Sequence, residues 1–595
     1  MQKYPKAKKE NIEEKIFGMT IKDPYRWMEN EKSEDLETWL AEQNQFTQTF
    51  LNEIPQRDEI KDRLRQLYDY PKYSTVTVVG KKIIYGYNEG LQNQPVYYMQ
   101  EGFDEKAHVL IDPNTLSADG TVSIFLNGQS KNNRYLAYLQ SQSGSDWHLL
   151  KVMDLEKKEV LADTIEWVKF TWAAWYKEGF FYSGYDKPQE GKELSVQNRG
   201  MKVFYHKLGE KQSQDQLLYS DQEHPLRFHG IRVSEDENDL ILVVSQGTYG
   251  SEIRVKKIDD QNAPFQTIFE GFDYEHDYIG SAGEDLYFVT DKEAPNKKIV
   301  KVNTRTFEIH DVIAPSDQPL ENGWKIGEHI VALYLHDVIS KLFLYDLQGQ
   351  LKNEVQMPII GSVMDVAGDK KLDRILFSFS SFIAPLGWHT LDIASGETKP
   401  FKESPLSFDA SQFITEQVFY ESKDGTKIPL FITRKKDMVR TGENPTLLYA
   451  YGGFNISLTP DFNPAIICLL EKGVVYAHAN LRGGGEYGEK WHKAGMYLNK
   501  QNVFDDFIAA AEYLIDKGYT SKDYLAIHGR SNGGLLMGAV ANQRPDLFSV
   551  VFAQVGVMDM LRFHKFTIGW GWAAEYGNPD EEAFFKYILK YSPLH

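Results

Sequence analysis

Apolar residues recur with two different periods along this chain, and the changes of period divide it into three stretches. From Ser33 the spacing of Leu36, Trp39, Leu40, Phe46, Phe50 and Leu51 is helical. Ser33 can cap this helix, and Glu34 and Asp35 favour its first turn. Ile60, Leu64 and Leu67 predict a second helix. From about Pro71 to about Pro405 the helical period vanishes, and short β-rich pairs take its place, such as 83–87 with 96–99 and 135–138 with 147–152. Further pairs begin at Phe180, Leu240, Leu286, Ile330 and Ile375. The seven units start roughly 45 to 60 residues apart, the period of a β-propeller blade. A β-sandwich is the alternative, but so long a run of one repeating unit favours the propeller.

After Asp424-Gly425 the pattern becomes α/β, with buried strands predicted at 446–451 and 473–480. Asn502 can cap a helix carrying Phe504, Phe507, Ile508, Ala511, Leu514 and Ile515, which ends at Gly518. A strand at 524–528, a helix at 532–542 and a strand at 550–555 follow. Such alternation implies a mostly parallel sheet with helices on both faces. The expected organisation is therefore an N-terminal helical part over 1–70, a propeller over 71–405 and an α/β domain over 406–595.

A length of 595 residues exceeds what one core supports, and 42% apolar residues can fill several. The net charge of −19 argues against nucleic acid as a partner. No stretch approaches the roughly 20 apolar residues that span a bilayer, and the basic N-terminus has no apolar run behind it. Cys468 stands alone, which excludes an intrachain disulfide. A soluble cytoplasmic monomer is expected, although a bacterial periplasmic protein also fits. His478, His492, His528 and His564 lack metal-ligand spacing, so neither metal nor cofactor is expected.

The chemistry concentrates at Gly529-Arg530-Ser531-Asn532-Gly533-Gly534, which fits the G-x-S-x-G elbow that lifts a serine nucleophile onto a strained strand-to-helix turn. With 45 glycines in the chain the pattern alone is weak. Its setting between a predicted strand and a predicted helix is what the mechanism requires. An acyl-transfer oxyanion needs two donors: the N–H after the nucleophile, here Asn532, and one from a loop after an earlier strand. Tyr451-Gly452-Gly453-Phe454 occupies such a loop, where Tyr451 is equally compatible with donating and with packing at a strand end. Arg482-Gly483-Gly484-Gly485-Glu486-Tyr487-Gly488 lacks the Gly-Lys-Ser/Thr of a phosphate loop and reads as a tight structural loop. In this class the acid and the histidine follow the serine, and the sequence ends soon after it, at His595. Asp559 and His564 do not fill those roles, because no strand fits between them.

Gly-Arg-Ser531-Asn-Gly-Gly, Tyr451-Gly-Gly-Phe, Arg482-Gly-Gly-Gly-Glu-Tyr-Gly, Asp23-Pro-Tyr-Arg-Trp27 and Val557-Met-Asp-Met-Leu-Arg-Phe-His-Lys565 together resemble the prolyl oligopeptidase family of serine peptidases, from end to end of the chain. The resemblance implies a seven-bladed propeller covering an α/β-hydrolase domain built from both ends of the chain, and cleavage of short peptides after proline. It makes Ser531 the nucleophile, gives Tyr451 and the Asn532 N–H the oxyanion hole, and lines a proline pocket with Phe454, Val557, Trp572 and Tyr576. The family's aspartate and histidine, with an arginine that grips the substrate backbone, match positions beyond His595. The hydrolase sheet is thus expected to be incomplete, and a polypeptide of these residues alone to have little activity. Two other readings remain: a non-catalytic scaffold, and a peptidase of the oligopeptidase B type that cleaves after Lys or Arg. Glu575 could serve the second, whereas the aromatic run Trp570-Gly-Trp572 suits a pyrrolidine ring, which has no N–H to donate.

Overall fold

In the computed structural model, residues 4–30, 33–190, 193, 196–260 and 263–595 are described. Ser33 caps the helix Glu34–Asn52 by accepting from the Leu36 amide at 3.3 Å. None of that helix is buried, and Leu40 and Phe50 are 45% and 52% exposed. The second helix, Arg57–Tyr68, lies against the helix Pro464–Glu471. Ile60, Leu64 and Leu67 pack there on Ile466, Ile467 and Leu470, and Arg63 grips Glu471 at 2.6 and 2.7 Å. The helix Arg57–Tyr68 thereby packs onto the C-terminal domain.

Seven four-stranded antiparallel sheets run from Lys72 to Lys402, each made of four consecutive strands. The β-rich pairs legible in the sequence are the second and third strands of these blades, for example Lys82–Asn88 with Val96–Glu101. Each hydrophobic core between blades draws on two neighbours. Ile241, Ile253 and Val255 of one blade, for instance, meet Leu286, Phe288 and Val300 of the next. A single blade cannot bury its faces alone, so stacking supplies the core. The ring closes by the same means: Val76, Val78 and Tyr85 of the first blade pack on Leu376 and Trp388 of the last, and Trp388 Nε1 donates to the Ser74 carbonyl at 2.9 Å. No strand is shared between those two blades.

The α/β domain holds a six-stranded sheet in the order Phe413–Glu421, Lys427–Lys435, Val475–Ala479, Thr446–Tyr449, Leu525–Arg530 and Val550–Gln554. The last four strands are parallel, and the first two run antiparallel. Helices Gln501–Asp516 and Asn532–Gln543 cover one face, and Pro464–Glu471 with Arg57–Tyr68 covers the other. Cys468 is buried on the latter face. Every residue of Val550–Gln554, one edge of the sheet, is exposed.

Asn502 is not the cap of its helix. The helix begins at Gln501, the Asn502 amide donates to the Ala494 carbonyl at 2.8 Å, and the Gln501 N–H donates to the Tyr587 hydroxyl at 2.8 Å. A tertiary contact satisfies the first turn in place of a local side chain.

Candidate functional site

Ser531 sits between the strand Leu525–Arg530 and the helix Asn532–Gln543 with φ +58° and ψ −117°. This left-handed backbone on a non-glycine residue costs on the order of 1–3 kcal/mol and holds the side chain outward. Its N–H donates to the Gln554 carbonyl at 3.0 Å, tying the turn to the neighbouring strand. The turn is tight enough to demand glycine: a Cβ on Gly529 would lie 2.2 Å from the Gly533 carbonyl oxygen. One on Gly534 would lie 2.5 Å from that of Gln554.

The loop Tyr451-Gly452-Gly453 follows the strand Thr446–Tyr449, which neighbours Leu525–Arg530 in the sheet. The Tyr451 hydroxyl faces the Ser531 side chain, and burial pushes its pKa up, with Ser531 acting in the opposite direction. A phenol kept neutral is a donor. The Asn532 N–H opens the elbow helix, where first-turn amides have no intrahelical acceptor. Two donors thus flank the exposed serine.

Beside Ser531, Phe454, Val557, Trp572 and Tyr576 belong to one apolar cluster. Phe454 meets Tyr576 edge-on at 5.4 Å between centroids. Phe563, which the sequence reading did not single out, stacks on Trp572 at 6.3 Å and meets Tyr576 at 5.3 Å. Trp572 also lines a cavity of about 600 Å³ whose opposite wall comes from the propeller, with Trp172, Phe228, Arg232 and Asp277. Those wall residues carry no local sequence signal, because they lie far away in the chain.

Glu575 is buried and turned from the aromatic pocket. Its Oε2 pairs with His492 Nε2 at 2.9 Å and its Oε1 with Lys500 Nζ at 3.4 Å. Burial alone would favour a neutral His492, but its bonds to Glu489 and Glu575 outweigh that and push its pKa up to about 9. The propeller seals this array with the ring of Tyr249, 5.5 Å from His492. A carboxylate already held by two cations is a poor receptor for a third. The other reading of Glu575, as a specificity group for Lys or Arg, therefore has no support in the site.

Arg482 forks onto Asp506 and Asp424, and its loop frames the site through the Gly483 N–H, which donates to the Trp491 carbonyl at 3.0 Å. Glu486 is buried in that loop, accepting from the Leu458 N–H at 3.0 Å and from Asn480 at 3.2 Å, and burial pushes its pKa up to about 7. These internal bonds hold the loop in place. Among the described residues no histidine bonds Ser531. His528 faces Gln554 at 3.1 Å, His564 faces Asp580 at 3.0 Å, and Asp559 pairs with Arg562 at 3.7 Å. Asp559 and His564 are not bonded to each other. Asp23, Glu29 and Asp559 bring carboxylate oxygens within 4.8 Å of one another, and Arg562 pairs with all three.

The comparisons with known proteins agree with this geometry. Residues 4–404 match the family model described as the prolyl oligopeptidase N-terminal beta-propeller domain, and residues 460–595 match the prolyl oligopeptidase family. A prolyl endopeptidase of Elizabethkingia meningoseptica is 42% identical over all of this chain and 84% of its own length. A solved prolyl endopeptidase, from a study of inter-domain dynamics in catalysis and specificity, superposes with a TM-score of 0.95 at 32% identity, covering 99% of this chain and 88% of the other. Prolyl oligopeptidase B of Galerina marginata, solved with a 25-residue macrocyclization substrate, gives 0.94 at 30% identity over 99% and 87%. With both domains matched and the strained serine in place, the chain belongs to the prolyl oligopeptidase family of serine peptidases.

Proposed function

We propose that this protein cleaves short peptides on the carboxyl side of proline through an acyl-enzyme on Ser531. The observation that carries the reading is the juxtaposition of the strained, exposed Ser531 with the pocket of Phe454, Val557, Trp572 and Tyr576. A pyrrolidine ring enters such a pocket without leaving a polar group unpaired, and stacks on the indole of Trp572. With the ring seated, the carbonyl carbon of the proline lies against Ser531 Oγ. As the tetrahedral adduct forms, negative charge moves onto the carbonyl oxygen, and the Tyr451 hydroxyl with the Asn532 N–H receives it. Ser531 gives up its proton to a general base as Oγ attacks, and that proton leaves with the amine when the adduct collapses to the acyl-serine ester, which water then hydrolyses.

The propeller over the site restricts substrates to short peptides, and the names of the relatives support the preference for proline. A cytoplasmic location is proposed from the single cysteine, which fits a reducing compartment. A fluorophosphonate should label Ser531, and the native enzyme should hydrolyse a proline chromogenic peptide far faster than the lysine or arginine analogue. Labelling at another serine, or faster cleavage after lysine, would overturn the reading.

A further inference from the structure

The carbonyl oxygens of Tyr451 and Gly452, successive residues of the oxyanion loop, are both held by buried side chains. The Asn532 amide donates to the Tyr451 carbonyl at 2.6 Å, and Lys500 Nζ donates to the Gly452 carbonyl at 2.9 Å. Lys500 is 1% exposed. Burying an ammonium is costly unless it is paired and hydrogen-bonded, and one carbonyl and one carboxylate meet that need here. The carboxylate belongs to Glu575, the residue before Tyr576 of the proline pocket, whose hydroxyl donates to Asn532 Oδ1 at 3.0 Å. The connections therefore form a closed circuit: Gly452 to Lys500, Lys500 to Glu575, along the chain to Tyr576, to Asn532 and back to Tyr451. His492 anchors the carboxylate from the far side at 2.9 Å.

We propose that Lys500 and Glu575 are positioning residues for the oxyanion hole: they fix the Gly452–Gly453 peptide, next to the Tyr451–Gly452 peptide that Asn532 holds, so that the Tyr451 hydroxyl points where the substrate oxyanion develops. The geometry suits that task more than general stability. Gly452 has φ +61°, and its loop carries no regular structure that would hold the carbonyl by itself. A freed Gly452 carbonyl would let the Gly452–Gly453 peptide rotate, leaving Asn532 as the one side chain that holds the loop's carbonyls, and the loop could then carry the phenol away from Ser531. Lys500 touches neither substrate nor Ser531, so its effect falls on the transition state through Tyr451. The proposal rests on Ser531 and Tyr451 acting as described above.

The test uses the native enzyme against Lys500→Met, which keeps the stem and removes the donor, and Glu575→Gln, which keeps the shape and removes the charge. With rates normalised to titrated Ser531, Lys500→Met should lower kcat about tenfold or more and weaken a peptidyl-prolinal, whose hemiacetal oxyanion occupies the hole, by a similar factor. KM for a proline peptide should stay within about threefold, because Phe454, Val557, Trp572 and Tyr576 are all kept and Lys500 meets the pocket only from behind, with Nζ 5.5 Å from the Tyr576 ring centroid. Glu575→Gln should move the same two quantities in the same direction, and it carries the test if Lys500→Met does not fold. Unchanged kcat and prolinal affinity in a folded variant, or a rise in KM alone, would overturn the positioning role and leave the Ser531 assignment standing.

Discussion

The hydroxyl of Tyr576 donates to Oδ1 of Asn532 at 3.0 Å, so the wall of the aromatic pocket is bonded to the residue that follows Ser531. The same asparagine donates from its amide to the Tyr451 carbonyl. Tyr576→Phe leaves a buried acceptor unpaired, which costs about 1–3 kcal/mol in stability. Freed of that bond, Asn532 also loses its hold on Tyr451, and kcat should fall severalfold. Thermal unfolding and steady-state kinetics on the one variant check both effects. A variant as stable and as fast as the native enzyme would show that the bond is incidental.

Tyr451→Phe removes the hydroxyl while keeping the ring in its half-buried seat. Loss of one oxyanion donor costs about 2.7–4 kcal/mol in comparable sites, so kcat should drop roughly 10²- to 10³-fold with KM little changed. If Tyr451 only packs at the strand end, the variant should retain native kcat.

Trp572 has Phe563 on one face and the cavity beneath the propeller on the other. Trp572→Ala should lower kcat/KM for proline substrates by about 1–3 kcal/mol and narrow their lead over alanine substrates. An equal loss for both substrates would mean that the indole shapes the cavity without reading the ring.

The seven blades were legible because their second strands, such as His329–His336, are buried along nearly their whole length and must be apolar throughout. Outer strands such as Leu351–Val355 are largely exposed and carry no comparable pattern. The elbow was legible for a different reason: positive φ at Ser531 and the close approach of backbone at Gly529 leave few residue types that fit. Lys500 was not legible, since a lysine read in isolation belongs on a surface and only tertiary contacts reveal it as buried. Asn502 misled for the converse reason, as a good local cap was displaced by the distant Tyr587. The pocket proposed for proline came from family resemblance, because the propeller residues that share a cavity with Trp572 are brought there only by the fold.

His206 offers a pH signature far from the catalytic centre. It is fully buried between Asp215, 2.7 Å from Nδ1, and Asp163, 3.1 Å from Nε2. Burial lowers its pKa, but the two carboxylates prevail and the net direction is upward. A histidine whose folded pKa lies above its unfolded value of about 6.5 contributes its full stability below that value. The contribution is lost as the pH rises through the folded pKa. Asp163 comes from the second blade and His206 from the third, so the bond staples neighbours. His206→Gln should therefore cost more stability at pH 5.5 than at pH 9, read from denaturation midpoints. A cost independent of pH would mean that the imidazole is neutral throughout.

The seam between propeller and hydrolase predicts which substrates reach Ser531. Ser457 donates to Glu321 at 2.9 Å, Tyr487 to Asp337 at 3.0 Å and the Glu489 N–H to the Pro295 carbonyl at 2.8 Å, so the two domains are bonded at the fifth and sixth blades. Trp572 faces the propeller across a cavity of about 600 Å³, a volume in the range of small-ligand sites and far below that of a folded domain. A peptide of a few residues fits that space in extended form, whereas a folded chain would have to break every bond of the seam or unfold first. Proline peptides of increasing length should accordingly show falling kcat/KM, and a folded, proline-rich protein should survive while its denatured, fragmented form is cut. Rapid cleavage of the folded protein by intact enzyme would mean that the propeller does not restrict access. Weakening the seam with Ser457→Ala should then relax the length limit, while kcat on the shortest substrates stays within about twofold.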